Sequence, residues 1–155
     1  MSHNKIGDVQ RAQGDLAAAL TSYQASLAIG DRLATADPRN TEWQRDLSVW
    51  HTKIGDVQRA RGDLAAALTS YQASLAIGDR LATADPRNAE WQRDLALSYG
   101  RVGVVEAQKG APDQARGMLQ QGREIIARLT RQSPSNVTLS NDLAWFDAVI
   151  AQFAA

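Results

Sequence analysis

The sequence predicts an all-α stack of antiparallel helix pairs, about seven helices in all. Three observations predict it: an internal repeat, a helix-forming composition and a helical spacing of apolar residues. The repeat has a period of 48 residues. Lys5 to Asn40 and Lys53 to Asn88 differ at one position, Gln13 against Arg61, and Glu42 to Leu47 reappears as Glu90 to Leu95. A third copy has drifted but keeps Gly103, Gly110, Ala115, Arg128, Leu129, Pro134, Asn136, Asp142 and Leu143 in register. Fixed self-similarity in this range of periods means stacked units, each burying its apolar face against its neighbours. Ala, Leu, Gln and Arg dominate, and all form helices well.

Each period divides into two helices. Trp43, Leu47, Trp50, Ile54 and Val57 fall at intervals of 4, 3, 4 and 3, which is one stripe on a helix. After Gly62 a second stripe runs Leu64, Leu68, Tyr71, Leu75, Gly78 and Leu81. Arg61-Gly62-Asp63 reads as a glycine stop followed by an aspartate N-cap. Asp85-Pro86-Arg87-Asn88 reads as a stop, a proline that cannot continue the helix, and an asparagine cap for the next one. The third copy carries both signals as Gly110-Ala111-Pro112 and Ser133-Pro134-Ser135-Asn136. The expected helices are 2–13, 15–36, 41–61, 63–84, 89–109, 112–132 and 137–153. They form a single domain over 1–155, with repeats at about 4–51, 52–99 and 100–147 and a terminal helix at about 137–153.

Composition narrows the functional classes. Lys plus Arg equals Asp plus Glu, 17 each, so no basic field holds a phosphate backbone and no nucleic-acid partner is expected. Cysteine is absent, which removes disulfides and thiolate metal sites. No apolar run is long enough to span a membrane, and no signal peptide opens the chain, so a soluble, cytoplasmic protein without a membrane partner is expected.

Ile54-Gly55, Gly62, Ala67 and Tyr71 together resemble the core of the tetratricopeptide repeat, a helix-turn-helix unit. The first copy matches through Ile6, Gly7, Gly14, Ala19 and Tyr23, and the third through Val102, Gly103, Gly110 and Ala115, with Leu119 in place of the aromatic. The departure is the period, 48 residues instead of about 34, which lengthens each helix by about two turns. The resemblance implies a right-handed α-solenoid that acts as a protein-interaction scaffold, not an enzyme, with no cofactor. It implies a concave groove lined by the first helix of each pair. By position that groove carries Glu42, Arg45, Val49, Thr52, Asp56 and Arg59, then Glu90, Arg93, Leu97 and Arg101, and its ligand is a protein or peptide.

The family's clamp for a carboxy-terminal carboxylate is not expected, because Asp8 or Asp56 stands where that clamp has an asparagine. Trp43 and Trp91 read as core residues of the stripe, whereas Trp50, whose copy is Ser98, is open between packing and partner contact. His3 and His51 are the only histidines and lie one period apart, too far for a shared metal. Arg61-Gly62-Asp63 matches an adhesion tripeptide, but turn and cap explain it fully.

The alternative reading is a self-associating module, a homo-oligomer joined through its end helices. Leu27, Ile29 and Leu33 lie beside a truncated first helix, and the last helix carries Trp145, Phe146, Val149 and Phe153.

Overall fold

A computed structural model describes residues 3–153, with side chains from Lys5 to Phe153; the histidine at position 3 thus has its side chain outside the described residues. Seven helices follow in order: α1 (His3–Ala12), α2 (Leu16–Ala36), α3 (Thr41–Ala60), α4 (Leu64–Ala84), α5 (Ala89–Gln108), α6 (Pro112–Gln132) and α7 (Val137–Ala151). The all-α class and every expected helix are present, and no strand occurs among the described residues.

The turns explain why the sequence folds in these lengths. At each first turn a glycine takes the left-handed conformation, with φ of +81° at Gly14, +81° at Gly62 and +86° at Gly110. The Gly62 N–H bonds to the Arg59 carbonyl (2.9 Å) and the Asp63 N–H to the Gln58 carbonyl (2.9 Å), which closes the end of α3. Asp63 Oδ1 then accepts from the Ala66 N–H (3.2 Å) and opens α4. In the third copy Ala111 offers no such cap, and Pro112 starts α6 instead. Asn40, Asn88 and Asn136 cap α3, α5 and α7 through the N–H groups of Trp43, Trp91 and Leu139.

The chain forms two compact units, Met1–Ile77 and Gly78–Ala155, with the boundary inside α4. In the first unit α1 packs on α2 and α2 on α3. Its core joins Ala19 and Tyr23 of α2 to Ile54 and Val57 of α3, with Leu16, Leu20 and Leu27 packed alongside. In the second unit α5 packs on α6 and α6 on α7. Its core is Ala96, Leu119, Ile126, Leu129, Leu139 and Phe146.

Close approach between helices depends on small residues. A Cβ on Gly55 would lie 2.6 Å from the Tyr71 ring, so the sequence's interior glycine lets α3 and α4 touch. A Cβ on Gly30 would lie 1.9 Å from Trp50 Cζ3. Trp50 therefore rests on the backbone of α2, which decides its role in favour of packing. One period later Ser98 replaces Trp50, and a Cβ on Gly78 would meet nothing closer than Leu95 Cα at 3.7 Å. One period later still, the large residue returns as Phe146, fully buried, and it lies where a Cβ on Gly122 would fall (2.6 Å). Gly30 is covered by Trp50 in α2, Gly78 meets only Leu95 at ordinary contact distance in α4, and Gly122 is covered by Phe146 in α6, so each junction fills its volume differently.

Candidate partner-binding face

The first-type helices hold the residues expected to line a groove. On α3, Glu42 lies exposed in the first turn and Arg59 exposed in the last, with Arg45 half-buried between them. Val49 is 40% exposed, a large apolar residue left in solvent among charges of both signs. The Asp46 carboxyl, one turn before Trp50, is held above its ordinary range by burial, with Glu42 adding to the effect and Arg45 opposing it.

Other expected residues are already engaged. Thr52 Oγ1 bonds the Ser48 carbonyl (3.0 Å) and the Ser74 hydroxyl (2.9 Å), so it faces α4. Asp56 accepts from the Tyr71 hydroxyl (2.5 Å) and pairs with Arg11 at 3.8 Å. On α5, Arg93 is tied to Asp142 of α7 through two bonds, Nε to Oδ2 at 2.7 Å and Nη2 to Oδ1 at 3.2 Å. The nearby carboxylate raises the Arg93 pKa. Glu90 is exposed, and Leu97 and Arg101 are half-buried.

These contacts show residues that stripe reading did not single out. Lys53 Nζ reaches back to Asp8 Oδ1 (2.8 Å) and lies 5.5 Å from the Tyr23 ring centroid. Burial alone would raise the Asp8 carboxyl; hydrogen bonds from Lys53 and Tyr23 bring it below its ordinary value. Burial, then the hydrogen bond to Asp8, pushes the Tyr23 phenol up to about 12. The pairs Lys53–Asp8, Arg11–Asp56 and Arg93–Asp142 each join first-type helices about one period apart. The signal was available in the repeat: opposite charges separated by nearly 48 residues.

The end-helix residues divide. Ile29 and Leu33 are 42% and 41% exposed, and Trp145 is 42% exposed. Phe146, expected to take part in self-association, is fully buried, because its ring fills the space over Gly122 and meets Trp145 edge-on at 4.9 Å. Val149 and Phe153 pack against the second core, and Leu27 packs against the first. Phe146 is thereby removed from the expected self-association surface, and Leu27, Val149 and Phe153 are half-buried against their cores.

No family model matches the chain, and no curated protein matches it. Two solved structures stand among those similar to it. One is the first TPR of Spaghetti (RPAP3) bound to the HSP90 peptide SRMEEVD, at 17% identity and a TM-score of 0.48, covering 96% of this chain and 93% of that one. The other is MamA, at 18% identity and a TM-score of 0.29, covering 96% and 88%. The repeated helix pairs, glycine turns and asparagine caps define an all-α helical-repeat protein. Among the described residues no helix is long and apolar enough to cross a membrane, and no group of three His, Asp or Glu is placed to hold a metal.

Proposed function

We propose that the chain is a protein-interaction scaffold that takes a protein or peptide segment on the outward faces of its first-type helices. Val49 carries the reading: an aliphatic side chain exposed on α3, with Glu42, Arg45 and Asp46 around it. An apolar anchor ringed by charges of both signs suits a segment with an aliphatic or aromatic side chain between polar neighbours. Arg93 serves the fold through Asp142, so the affinity in this reading comes from the α3 face. The carboxylates of Asp8 and Asp56 argue against a ligand held by its terminal carboxylate.

A photo-crosslinking residue placed at position 49 tests the reading. A partner captured there should bind at least about tenfold more weakly to a folded Val49→Glu variant. Undiminished binding would move the site off α3.

Self-association is the second reading, now resting on Ile29, Leu33 and Trp145 alone. Light scattering over a range of concentrations tests it, and a mass that never rises above one chain rules it out.

A further inference from the structure

The turn that leads into α5 and the last turns of α6 border a cleft of about 200 Å³. Pro86, Arg87, Gln92, Arg128, Leu129 and Gln132 line it. Two guanidinium groups and two side-chain amides thus border one small space, and no carboxylate is among the lining residues.

The cleft is braced from within the second unit. Gln92 is 8% exposed, and both ends of its amide are held. Its Nε2 donates to the Ala82 carbonyl near the end of α4 (3.2 Å), and its Oε1 accepts from Arg128 Nη2 (3.0 Å). A nearly buried amide therefore fixes one edge of the Arg128 guanidinium and leaves its remaining N–H donors unused. Arg87 comes from the turn, where its backbone N–H is held by Asp85 Oδ1 (3.3 Å). Among the described residues neither Arg87 nor Arg128 pairs with a carboxylate, unlike Arg11, Arg93 and Arg123. Asp85 and Glu90 flank the turn, but neither lines the cleft.

The drift of the third copy keeps this arrangement. α6 differs from α4 at most positions. Of the two charges in α4, Asp79 becomes Ala127, whereas Arg80 stays as Arg128, with leucine next in both. Ala84 becomes Gln132, which adds an amide to the wall. These changes remove an acid beside the arginine and add a donor.

Unpaired guanidinium groups at one cleft favour a compact anion, because their planar N–H forks match oxyanion geometry. The donors outnumber the two oxygens of a carboxylate, and the volume admits a tetrahedral group. We infer that the cleft binds a phosphate group, carried by a small phosphorylated molecule or by a phosphorylated side chain. The site involves no residue of α3 and goes beyond the scaffold reading.

The test follows NMR shifts of the full chain, residue by residue, at low ionic strength, where exposed charges are least screened. Inorganic phosphate should give saturating shifts at Arg87, Gln92 and Arg128, and none at Arg32, the copy of Arg128 that lies outside the cleft. The Kd should rise at least about tenfold with Arg87→Gln, a change in an exposed turn, and with Arg128→Gln, with folding checked by circular dichroism. Arg128→Lys keeps the charge but loses the fork, and should weaken binding less than Arg128→Gln. Acetate should bind at least about tenfold more weakly than phosphate. Acetylphosphoserine amide and glycerol phosphate then separate the two sources, the tighter ligand naming the carrier. Shifts that never saturate, binding indifferent to both arginine changes, or acetate binding as tightly as phosphate would overturn the inference. Shifts spread evenly over the exposed arginines would also overturn it, by reducing the effect to charge screening. None of these results touches the α3 reading, which is tested at position 49.

Discussion

The Tyr71 hydroxyl donates to Asp56 Oδ1 at 2.5 Å, and the two residues change together: one period later their places are taken by Leu119 and Val104. The same bond joins Tyr23 to Asp8 at 2.6 Å in the first copy. A buried phenol needs a partner for its O–H. Where the phenol is lost, the carboxylate is lost with it, and both positions become aliphatic. The pair ties the two helices of the hairpin together.

Removing one half of that pair should therefore cost more than replacing both. Tyr71→Phe leaves Asp56 without this donor and is expected to destabilise by about 1.5 to 3 kcal/mol, the range for hydrogen bonds to charged groups. Tyr71→Leu with Asp56→Val should cost less than the sum of the single changes, with a coupling of at least about 0.5 kcal/mol. Urea unfolding of the four proteins measures it, and additive effects would show that the pair does not act as a unit.

Gly30 and Gly78 sit in helices of identical sequence and should respond with opposite signs to the same change. Gly30→Ala drives a Cβ into Trp50 and should destabilise by about 1 to 3 kcal/mol. Gly78→Ala meets only ordinary contact distances and should stabilise by about 0.5 to 1 kcal/mol, since glycine inside a helix is costly. Trp50→Ser in the Gly30→Ala background should relieve the clash. Thermal melts of the three variants decide the matter, and equal shifts for both alanines would refute the account of the junctions.

Stability should fall as pH drops from 7 to 5, through His51. Burial lowers its pKa below the ordinary 6.5, and Asp31 opposes this only in part. A depressed folded value means that the folded state resists protonation. The stabilising contribution is then whole above pH 6.5 and declines as pH falls towards the folded value. Asp8, also depressed, loses its contribution only lower, as pH falls below its ordinary 3.8. His51→Tyr copies Tyr99 and should flatten the melting temperature between pH 7 and 5. A slope that survives the substitution would assign it to other groups.

Phe146 is a core residue of α7, so Phe146→Ala should cost about 3 to 5 kcal/mol. Trp145→Ala, at a half-exposed neighbour, should cost clearly less. A guanidinium titration following tryptophan fluorescence and helicity together compares them, and a small loss at Phe146 would restore it to the surface.

Much of the fold was legible in the sequence, and for local reasons. Glycine at 14, 62 and 110 and asparagine at 40, 88 and 136 act on their own turn, so a period-by-period reading places every helix within two residues. Less of the candidate face was legible. Thr52, Asp56 and Arg93 stand at positions that the family resemblance assigns to a groove, yet each is engaged by another helix. Stripe periodicity says which side of a helix a residue occupies, not whether a neighbour reaches it first.

The sequence by itself determined the helices, their pairing and their repeat, because caps, turns and apolar spacing are encoded within a few residues of where they act. The tertiary structure decided which copies of an identical side chain are core and which are surface. Val9 and Val57 are the same residue in the same local sequence, 45% and 0% exposed, because burial depends on a neighbouring helix that local sequence does not specify.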